Sequence, residues 1–349
     1  MATVRCIISM PSGSHMAKQV IVNIIGAGVA GLSVATELRA RGVMVNVCDH
    51  SSGLGPDACT WWAGGMLAPW CERESAEEPV ARHGEAAADW WERHAGGVTR
   101  AGSMVVALPR DRGELKRFAR RTANFEELDA DAIESLEPDL GGRFTQALYF
   151  GTEAHLTPRD ATATLLQRLN AEVETVRFET DVTALPEADV TIDCRGLAAR
   201  NRLSDLRGVK GEMLMLQCDD VTLSRPIRLL HPRIPLYIVP RGDGLFMVGA
   251  TMIESNERKR VSARSMLELL GAAYALHPAF GEAEVVEIGV DARPAFPDNL
   301  PRLRWVDGTL CVNGLFRHGF LLAPAVARMA ADVVTGINQT PEFLDAHPA

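Results

Sequence analysis

Three glycines near the start of the chain are spaced to receive a phosphate. Residues 26–31 read GAGVAG, which is a G-x-G-x-x-G pattern. In such a turn the first glycine permits a tight bend, the second lets backbone amides approach a pyrophosphate, and the third lets a helix lie close to a strand. The pattern predicts a dinucleotide site whose contacts are Gly26, Gly28, Val29, Ala30 and Gly31.

The sequence on both sides supplies the elements that this turn needs. Residues 20–25 predict a strand, residues 32–41 a helix, and residues 43–48 a second strand that ends at Asp49. In a βαβ unit of this kind the helix N-terminus faces the phosphates, and an acidic residue about 20 positions later accepts hydrogen bonds from a ribose. We therefore assign Asp49 to the same site. The fingerprint does not distinguish one dinucleotide from another.

Composition excludes several classes of protein. The 349 residues carry a formal net charge of −9 and contain no basic run, which argues against a nucleic-acid partner. No stretch approaches the roughly 20 apolar residues of a membrane span. Cysteines form no C-x-x-C pair and histidines no metal-binding pattern, so we expect a cytoplasmic protein with reduced thiols and no metal. Residues 1–16 end in GSHM, and we set them aside as an expression leader that is expected to be disordered.

Helix and strand patterns along the chain indicate an α/β fold with two domains. Helices are predicted at 77–94, 115–122, 159–170, 262–275 and from near Pro324 to about Thr335, and strands at 103–108, 146–150, 173–178, 190–194 and 310–313. Residues 236–239 and 245–249 predict an antiparallel hairpin across an RGDG turn.

The order of these patterns predicts discontinuous domains. Because βαβ patterns appear at the start, middle and end, we expect a Rossmann-type nucleotide domain made of residues 17–85, 146–208 and 285–349. An α+β substrate domain with an antiparallel sheet would then comprise residues 86–145 and 209–284.

Several segments together resemble one known family. Residues 314–324 (GLFRHGFLLAP) resemble the flavin-contacting C-terminal motif of the thiamine-pathway glycine oxidases, which belong to the FAD-dependent D-amino-acid oxidase superfamily. The AGGMLAP loop at 63–69, the KGE strand at 210–212, the YIVPR and GATM segments within 237–252, and the turn that begins at Arg293 resemble the same family in the same order. The resemblance implies non-covalent FAD, with neither Cys59 nor Cys311 matching a flavin-tethering motif.

The resemblance also implies an activity and its participants. A small amino acid, in the first place glycine, would be oxidised to its imine, with O2 reduced to H2O2 and the imine hydrolysed to glyoxylate and ammonia. The imine would supply the thiazole of thiamine, with thiazole synthase as a downstream partner. We further expect a homo-oligomer.

Four residues are carried over from the family as candidates at the reacting centre. Arg293 resembles its substrate-carboxylate arginine, and Tyr237 its active-site tyrosine. Met252 would form a pocket wall, and Arg317 would lie near the flavin or close the pocket. The ordinary alternatives are a surface ion pair, a half-buried strand tyrosine, a core methionine and an arginine that caps carbonyls.

The cofactor contacts implied by the resemblance come from four further places. An apolar loop with three tryptophans, at 60–70, would otherwise be hard to explain. A helix that begins after Gly319 would direct its positive end at the flavin C2 carbonyl. The implied contacts are Thr60, Gly64, Gly65, Met66, Val182, Gly196, Arg317, His318, Gly319, Phe320 and Leu321.

The chain departs from the family pattern in ways that bear on its substrate. Pro235 stands where members often carry a histidine, Trp61 and Trp62 replace smaller residues, and Arg195 precedes a glycine where a small residue is usual. A D-amino-acid or sarcosine oxidase or dehydrogenase on the same scaffold therefore stays open. So do an NAD(P)-dependent reductase and a flavoprotein without catalysis.

Overall fold

The computed structural model describes residues 19–231 and 236–345, so the leader and Pro235 lie outside the described residues. Its helices are α1 Val29–Ala40, α2 Pro69–Arg73, α3 Glu78–Gly84, α4 Ala87–His94, α5 Arg112–Ala119, α6 Ala130–Leu136, α7 Pro158–Leu169, α8 Ala263–Leu276 and α9 Gly319–Thr335. Its strands are β1 Ile21–Ile25, β2 Met44–Cys48, β3 Met66–Leu67, β4 Ser103–Ala107, β5 Glu126–Asp129, β6 Gln146–Phe150, β7 Ala154–His155, β8 Val176–Arg177, β9 Val190–Asp193, β10 Arg207–Gln217, β11 Ile227–Leu230, β12 Leu236–Pro240, β13 Leu245–Gly249, β14 Ile253–Glu254, β15 Glu284–Ala295, β16 Arg302–Val306 and β17 Thr309–Asn313.

The chain folds into two compact units, each described here by itself. The first unit takes in the chain up to Gly55, Thr162–Arg207 and the chain from Pro294, and the second unit contains Pro56–Ala161 and Gly208–Arg293. These limits differ from the predicted boundaries, because 56–85, 146–161 and 285–293 fall in the second unit. Apolar contacts explain the first difference, since Ala68 and Cys71 are buried in one cluster with side chains of β4 and β6.

The sheet of the first unit is centred on β1. Its strand order is β16-β17-β9-β1-β2-β8, and β1 is parallel to both β2 and β9. Only β16 runs antiparallel to its neighbour, β17. On one face of the central strands Val22, Ile24 and Val47 are fully buried, and on the other Asn46 Nδ2 donates to Asn23 Oδ1 at 3.0 Å. The Rossmann-type fold is thus confirmed.

Two helices from opposite ends of the chain pack together in this unit. Helices α1 and α9 are in contact, and the Arg41 guanidinium donates to Asp332 Oδ1 at 2.6 Å. The prediction that the last helix starts near Pro324 is wrong, because α9 begins at Gly319 and Pro324 lies inside it. Pro324 is the sixth residue of α9, beyond the four amides that have no helical partner, so it costs the helix one backbone hydrogen bond.

The sheet of the second unit is mainly antiparallel. Its strand order is β14-β10-β13-β12-β11-β4-β6-β5, and β15 pairs with β10. The predicted β12–β13 hairpin is confirmed, with Tyr237 opposite Gly249. The predicted strand at 173–178 is shorter, since only Val176–Arg177 pairs in the first unit's sheet.

The two faces of this second sheet differ in what covers them. Leu214, Ile238 and Val248 belong to a large buried cluster that also takes in side chains of α6 and α8. Because side chains alternate along a strand, Met213, Tyr237 and Met247 lie on the opposite face. There they contribute to a smaller cluster with Trp62 and Met66 packed against it. Tyr237, one of the candidates at the reacting centre, lies on this second face.

Candidate active site

In the first unit, the glycine turn has the close packing that its sequence predicts. Gly26 has φ +105°, and a Cβ there would meet the carbonyl of Cys194. A Cβ on Gly31 would overlap the carbonyl oxygen of Gly26. No side chain caps Gly28, the residue before α1. The turn thus presents backbone at the helix start, which is the arrangement that receives a pyrophosphate.

A second helix begins beside this turn. Gly319, the first residue of α9, lies so near Val29 that an added Cβ would be 3.6 Å from Val29 Cγ1. His318 precedes α9 without a side-chain cap, and Phe320 and Leu321 are buried in its first turn. The positive ends of two helix dipoles therefore meet in one place. The glycine turn and the 318–321 segment are therefore adjacent to each other in space. Both were assigned to the cofactor from the sequence.

Asp49 holds the turn from the end of β2. Its Oδ2 accepts a hydrogen bond from the Ala27 amide at 2.7 Å, and its Oδ1 accepts from Ser51 N at 2.9 Å. Each carboxylate oxygen has a second lone pair, so these bonds leave capacity for a ribose hydroxyl. The backbone of Thr180 donates to Asp49 O, which brings the short helical turn that starts at Val182 to this edge of the sheet.

The ends of β9 and β17 supply the remaining predicted contacts of this unit. Gly196 has φ +57° and its carbonyl accepts from Asn313 Nδ2 at 2.9 Å. The departure at Arg195 has a structural account, since its guanidinium pairs with the fully buried Asp193 at 2.6 Å. Arg317 is half-buried next to Phe316, with its guanidinium 5.9 Å from that ring.

In the second unit, Tyr237 occupies space that two glycines leave open. A Cβ on Gly249, its partner on β13, would lie 3.0 Å from the tyrosine ring, and so would a Cβ on Gly64. Burial raises the pKa of Tyr237, an effect that the charge of Arg293 opposes. The tyrosine hydroxyl is therefore protonated at neutral pH and makes no hydrogen bond to a residue within the described ranges.

Arg293 lies over a third glycine on the same face. Its guanidinium fills the place where a Cβ on Gly211 would project, and Nη1 donates to the carbonyl of Thr251 at 3.1 Å. Thr251 is in turn held by Glu212, whose Oε2 accepts from its hydroxyl at 2.9 Å and whose Oε1 pairs with Lys210 at 2.9 Å. Within residues 19–231 and 236–345, no carboxylate forms an ion pair with Arg293.

A buried ion pair that the sequence did not reveal lies next to Tyr237. Arg228 is opposite Tyr237 on β11 and donates to Glu72 Oε1 at 2.5 Å. Glu153, 1% exposed, accepts from the Cys71 amide at 2.7 Å, and burial raises its pKa to about 7. No motif marks these residues, because their partners lie 82 and 156 positions away in the sequence.

The loop at 63–69, which we call the flavin loop because it resembles the family's flavin contact, is fixed from two sides in the second unit. The Arg241 guanidinium donates to the carbonyls of Ala63 at 3.4 Å, Gly64 at 2.8 Å and Leu156 at 3.1 Å. Gly65 has φ +69° and accepts from the Leu156 amide, while Met66 pairs with β7. The last residue of the YIVPR segment thus holds the loop that resembles the family's flavin contact.

The tandem tryptophans are anchored by one arginine. The Arg159 guanidinium lies 4.2 Å from the Trp61 ring and 5.4 Å from the Trp62 ring, and it forms a bidentate pair with Glu287 at 2.9 and 2.6 Å. Trp62 covers Gly289 of β15, where a Cβ would overlap the indole. The large side chains that replace smaller ones are thus part of the packing of this face.

For two predicted site residues, Met252 and Thr60, the structure shows a position that does not by itself indicate a role. Met252 is 56% exposed, beyond the end of β13, and its role as a pocket wall stays a prediction. Thr60 lies in a short helical turn, Cys59–Trp62, that leads into the loop.

In the described parts of the chain, no helix is long and apolar enough to cross a membrane.

Comparison with known proteins identifies the class. A family model described as FAD dependent oxidoreductase (DAO) matches residues 22–333. The chain therefore belongs to the DAO family of FAD-dependent oxidoreductases. Within that family it is of the ThiO or glycine oxidase type, as its individual relatives indicate.

Three relatives support this type, and one solved structure matches the fold. A Rhizobium etli protein, named as a candidate thiamine biosynthesis oxidoreductase ThiO, is 56% identical over 314 residues, 88% of this chain and 94% of the relative. A Pseudomonas putida glycine oxidase is 29% identical over 92% of this chain and 95% of its own. A Synechocystis bifunctional ThiO/ThiG protein is 25% identical over 92% of this chain and 52% of its own length. The structure of Geobacillus kaustophilus glycine oxidase has a TM-score of 0.75 at 23% identity, covering 94% of this chain and 99% of that one.

The first unit fits the dinucleotide half of FAD. The glycine turn leaves no room for a side chain at Gly31, and the α1 and α9 N-termini meet beside it without side-chain caps. Such a cradle suits a pyrophosphate that approaches backbone directly. Asp49 lies at the β2 end where a ribose would bind.

Gly31→Ala tests this cradle. The new methyl group would overlap the Gly26 carbonyl and displace α1 from the turn, so we expect the purified protein to lose most of its bound flavin, measured by absorbance of the released FAD. The matched control is Gly113→Ala on α5, where a Cβ meets nothing within 4 Å. Equal flavin content in the two variants would contradict the assignment.

Glu153→Gln tests the buried carboxylate beside Arg228. Because its folded-state pKa of about 7 lies above the ordinary 4.5, the folded protein holds an extra proton between these values. Stability should therefore fall as pH rises through that window, and the variant should flatten this fall. Thermal midpoints across the window provide the measurement, with the exposed Glu126→Gln as control. A pH profile parallel to that of the wild type would refute the expectation.

Proposed function

We propose that this protein oxidises glycine to iminoglycine, with O2 reduced to H2O2, and that water then converts the imine to glyoxylate and ammonia. The observation that carries the proposal is Arg293, a half-buried cation held by one carbonyl bond at Thr251, with no ion pair to a described carboxylate. A guanidinium in that state is suited to a bidentate bond with a substrate carboxylate.

Tyr237 complements Arg293 on the same face of the sheet. Its protonated hydroxyl donates to the substrate carboxylate, and its ring, set over Gly249 and Gly64, limits the volume beside the amino acid. The neighbouring carboxylate of Glu72 is engaged by Arg228 and is not available as a base. We infer that the Cα hydrogen leaves with its electron pair, so that no side chain has to remove it as a proton.

The cofactor is non-covalent FAD, which supplies the two-electron acceptor when bound. In the first unit, the turn at 26–31, Asp49, Val182, Gly196 and the 317–321 segment are proposed to hold it. In the second unit, Thr60, Gly64, Gly65 and Met66 are proposed to contribute. Arg293 and Tyr237 raise the rate mainly by positioning the amino acid. The helix ends contribute by stabilising negative charge on the reduced cofactor.

The relatives support a place in thiamine biosynthesis. One relative carries that role in its name, and another is a bifunctional ThiO/ThiG protein. We infer that iminoglycine is passed to thiazole synthase as a downstream partner. The described cysteines are all free thiols, which agrees with the cytoplasmic location that we propose. A homo-oligomer stays part of the proposal.

An amine panel with peroxide detection tests the reaction. We expect glycine to be the preferred substrate over sarcosine, D-alanine and D-proline, because the Tyr237 ring and the tryptophan loop restrict the space beside the amino acid. Preference for one of the larger amines would favour the D-amino-acid or sarcosine enzyme. Reduction of bound flavin without peroxide would indicate a dehydrogenase.

Arg293→Ala tests the carboxylate site. Loss of a charge-assisted pair costs about 1.5–3 kcal/mol, so KM for glycine should rise roughly 10- to 100-fold while FAD content is unchanged. Arg293→Lys should recover part of the affinity, since it restores charge but not the fork. The control is Arg260→Ala, whose side chain is 85% exposed. An unchanged KM in Arg293→Ala would remove the residue from the substrate site.

A further inference from the structure

A polar cavity that Arg293 does not line lies in the second unit. It measures about 320 Å³ and is lined by Thr99, His155, Thr157, Ser224 and Arg241 among others. Arg241 follows the last residue of β12, and its Nη2 donates to the carbonyl of Gly64, where a Cβ would lie 3.0 Å from the Tyr237 ring. The cavity lining includes neither Tyr237 nor Arg293, so the cavity is distinct from the proposed amine site and approaches it at Gly64 of the flavin loop.

Arg241 brings an uncompensated charge to this cavity. Three of the five N–H groups of its guanidinium donate to the carbonyls of Ala63, Gly64 and Leu156, which leaves two. Within the described ranges, no carboxylate lies at ion-pair distance from it. The charges that act on it from farther away, Arg159 and Asp160, oppose each other. A half-buried cation without a counter-ion favours an anionic ligand.

Helix α7 adds to this positive field. It begins at Pro158, so Leu156 and Thr157, which line the cavity, lie at its N-terminal end. A helix of this length carries a partial positive charge there, and backbone amides at such ends commonly bind phosphate.

His155 supplies a buried polar atom that has no partner. The side chain is 5% exposed, and its Nδ1 forms no hydrogen bond with any residue in 19–231 or 236–345. Burial, together with the charge of Arg241, lowers the pKa of His155 to about 4. The ring is therefore neutral at neutral pH and can donate or accept one hydrogen bond at Nδ1.

We propose that this cavity binds a phosphate group, carried either by inorganic phosphate or by a phosphate monoester. Arg241 supplies the charge, the hydroxyls of Thr99, Thr157 and Ser224 supply donors, and His155 Nδ1 supplies one more polar contact. Because Arg241 also holds the carbonyls of Ala63 and Gly64, the ligand would rest against the anchor of the flavin loop.

Calorimetric titration of the FAD-loaded full chain tests the proposal, since the dinucleotide site is then filled. We expect saturable binding of inorganic phosphate at constant ionic strength, none of chloride, and no displacement by glycine. Titration with an alkyl phosphate monoester distinguishes the two sources, because a monoester that binds more tightly than phosphate uses the cavity's further volume.

Two mild variants connect the binding to these residues. Replacing Arg241 would also release the loop, so the variants are Ser224→Ala and His155→Phe, which keep the backbone bonds of both positions. Each removes one hydrogen bond to a charged ligand and should weaken phosphate binding by about tenfold. The exposed Ser204→Ala is the control for the first and should bind as the wild type does.

Three results would overturn the proposal. These are absence of saturable phosphate binding by the wild type, unchanged affinity in both variants, and competition between phosphate and glycine, which would assign the anion to Arg293 instead.

Discussion

Both units depend on glycines, because the absence of a Cβ at these positions leaves space for a neighbouring group. In the first unit, α1 can lie against the turn only because Gly31 has no Cβ to meet the Gly26 carbonyl. In the second unit, Gly249 and Gly211 have no Cβ, and this leaves the space that the Tyr237 ring and the Arg293 guanidinium occupy. Each of these glycines thus allows a neighbouring helix or side chain to take its position.

The sequence predicted well those features that depend on residues close to one another along the chain. The turn at 26–31, the hairpin that pairs Tyr237 with Gly249, and the helix–strand alternation around β1 follow from periodicity and from glycine chemistry. The start of α9 was misplaced because a proline usually marks a helix boundary, whereas Pro324 lies inside the helix.

Contacts between distant segments could not be predicted in this way. Glu72 and Arg228 carry no motif, and their pairing exists only because α2 packs on the sheet that contains β11. Arg241 stood within a recognised segment, yet its hold on the Gly64 carbonyl depends on where the loop folds back. The unit boundaries shifted for the same reason, since apolar contacts of Ala68 and Cys71 decide which sheet the loop joins.

The junction of α1 with α9 through Arg41 and Asp332 affects the order in which the chain acquires its structure during synthesis. The first unit needs both ends of the chain, so β1 and α1 emerge from the ribosome long before the helix that covers them. The second unit has all of its segments by Arg293 and is available to fold first. A chain that is released before α9 would therefore expose the apolar side of α1, and quality-control proteases would encounter it there.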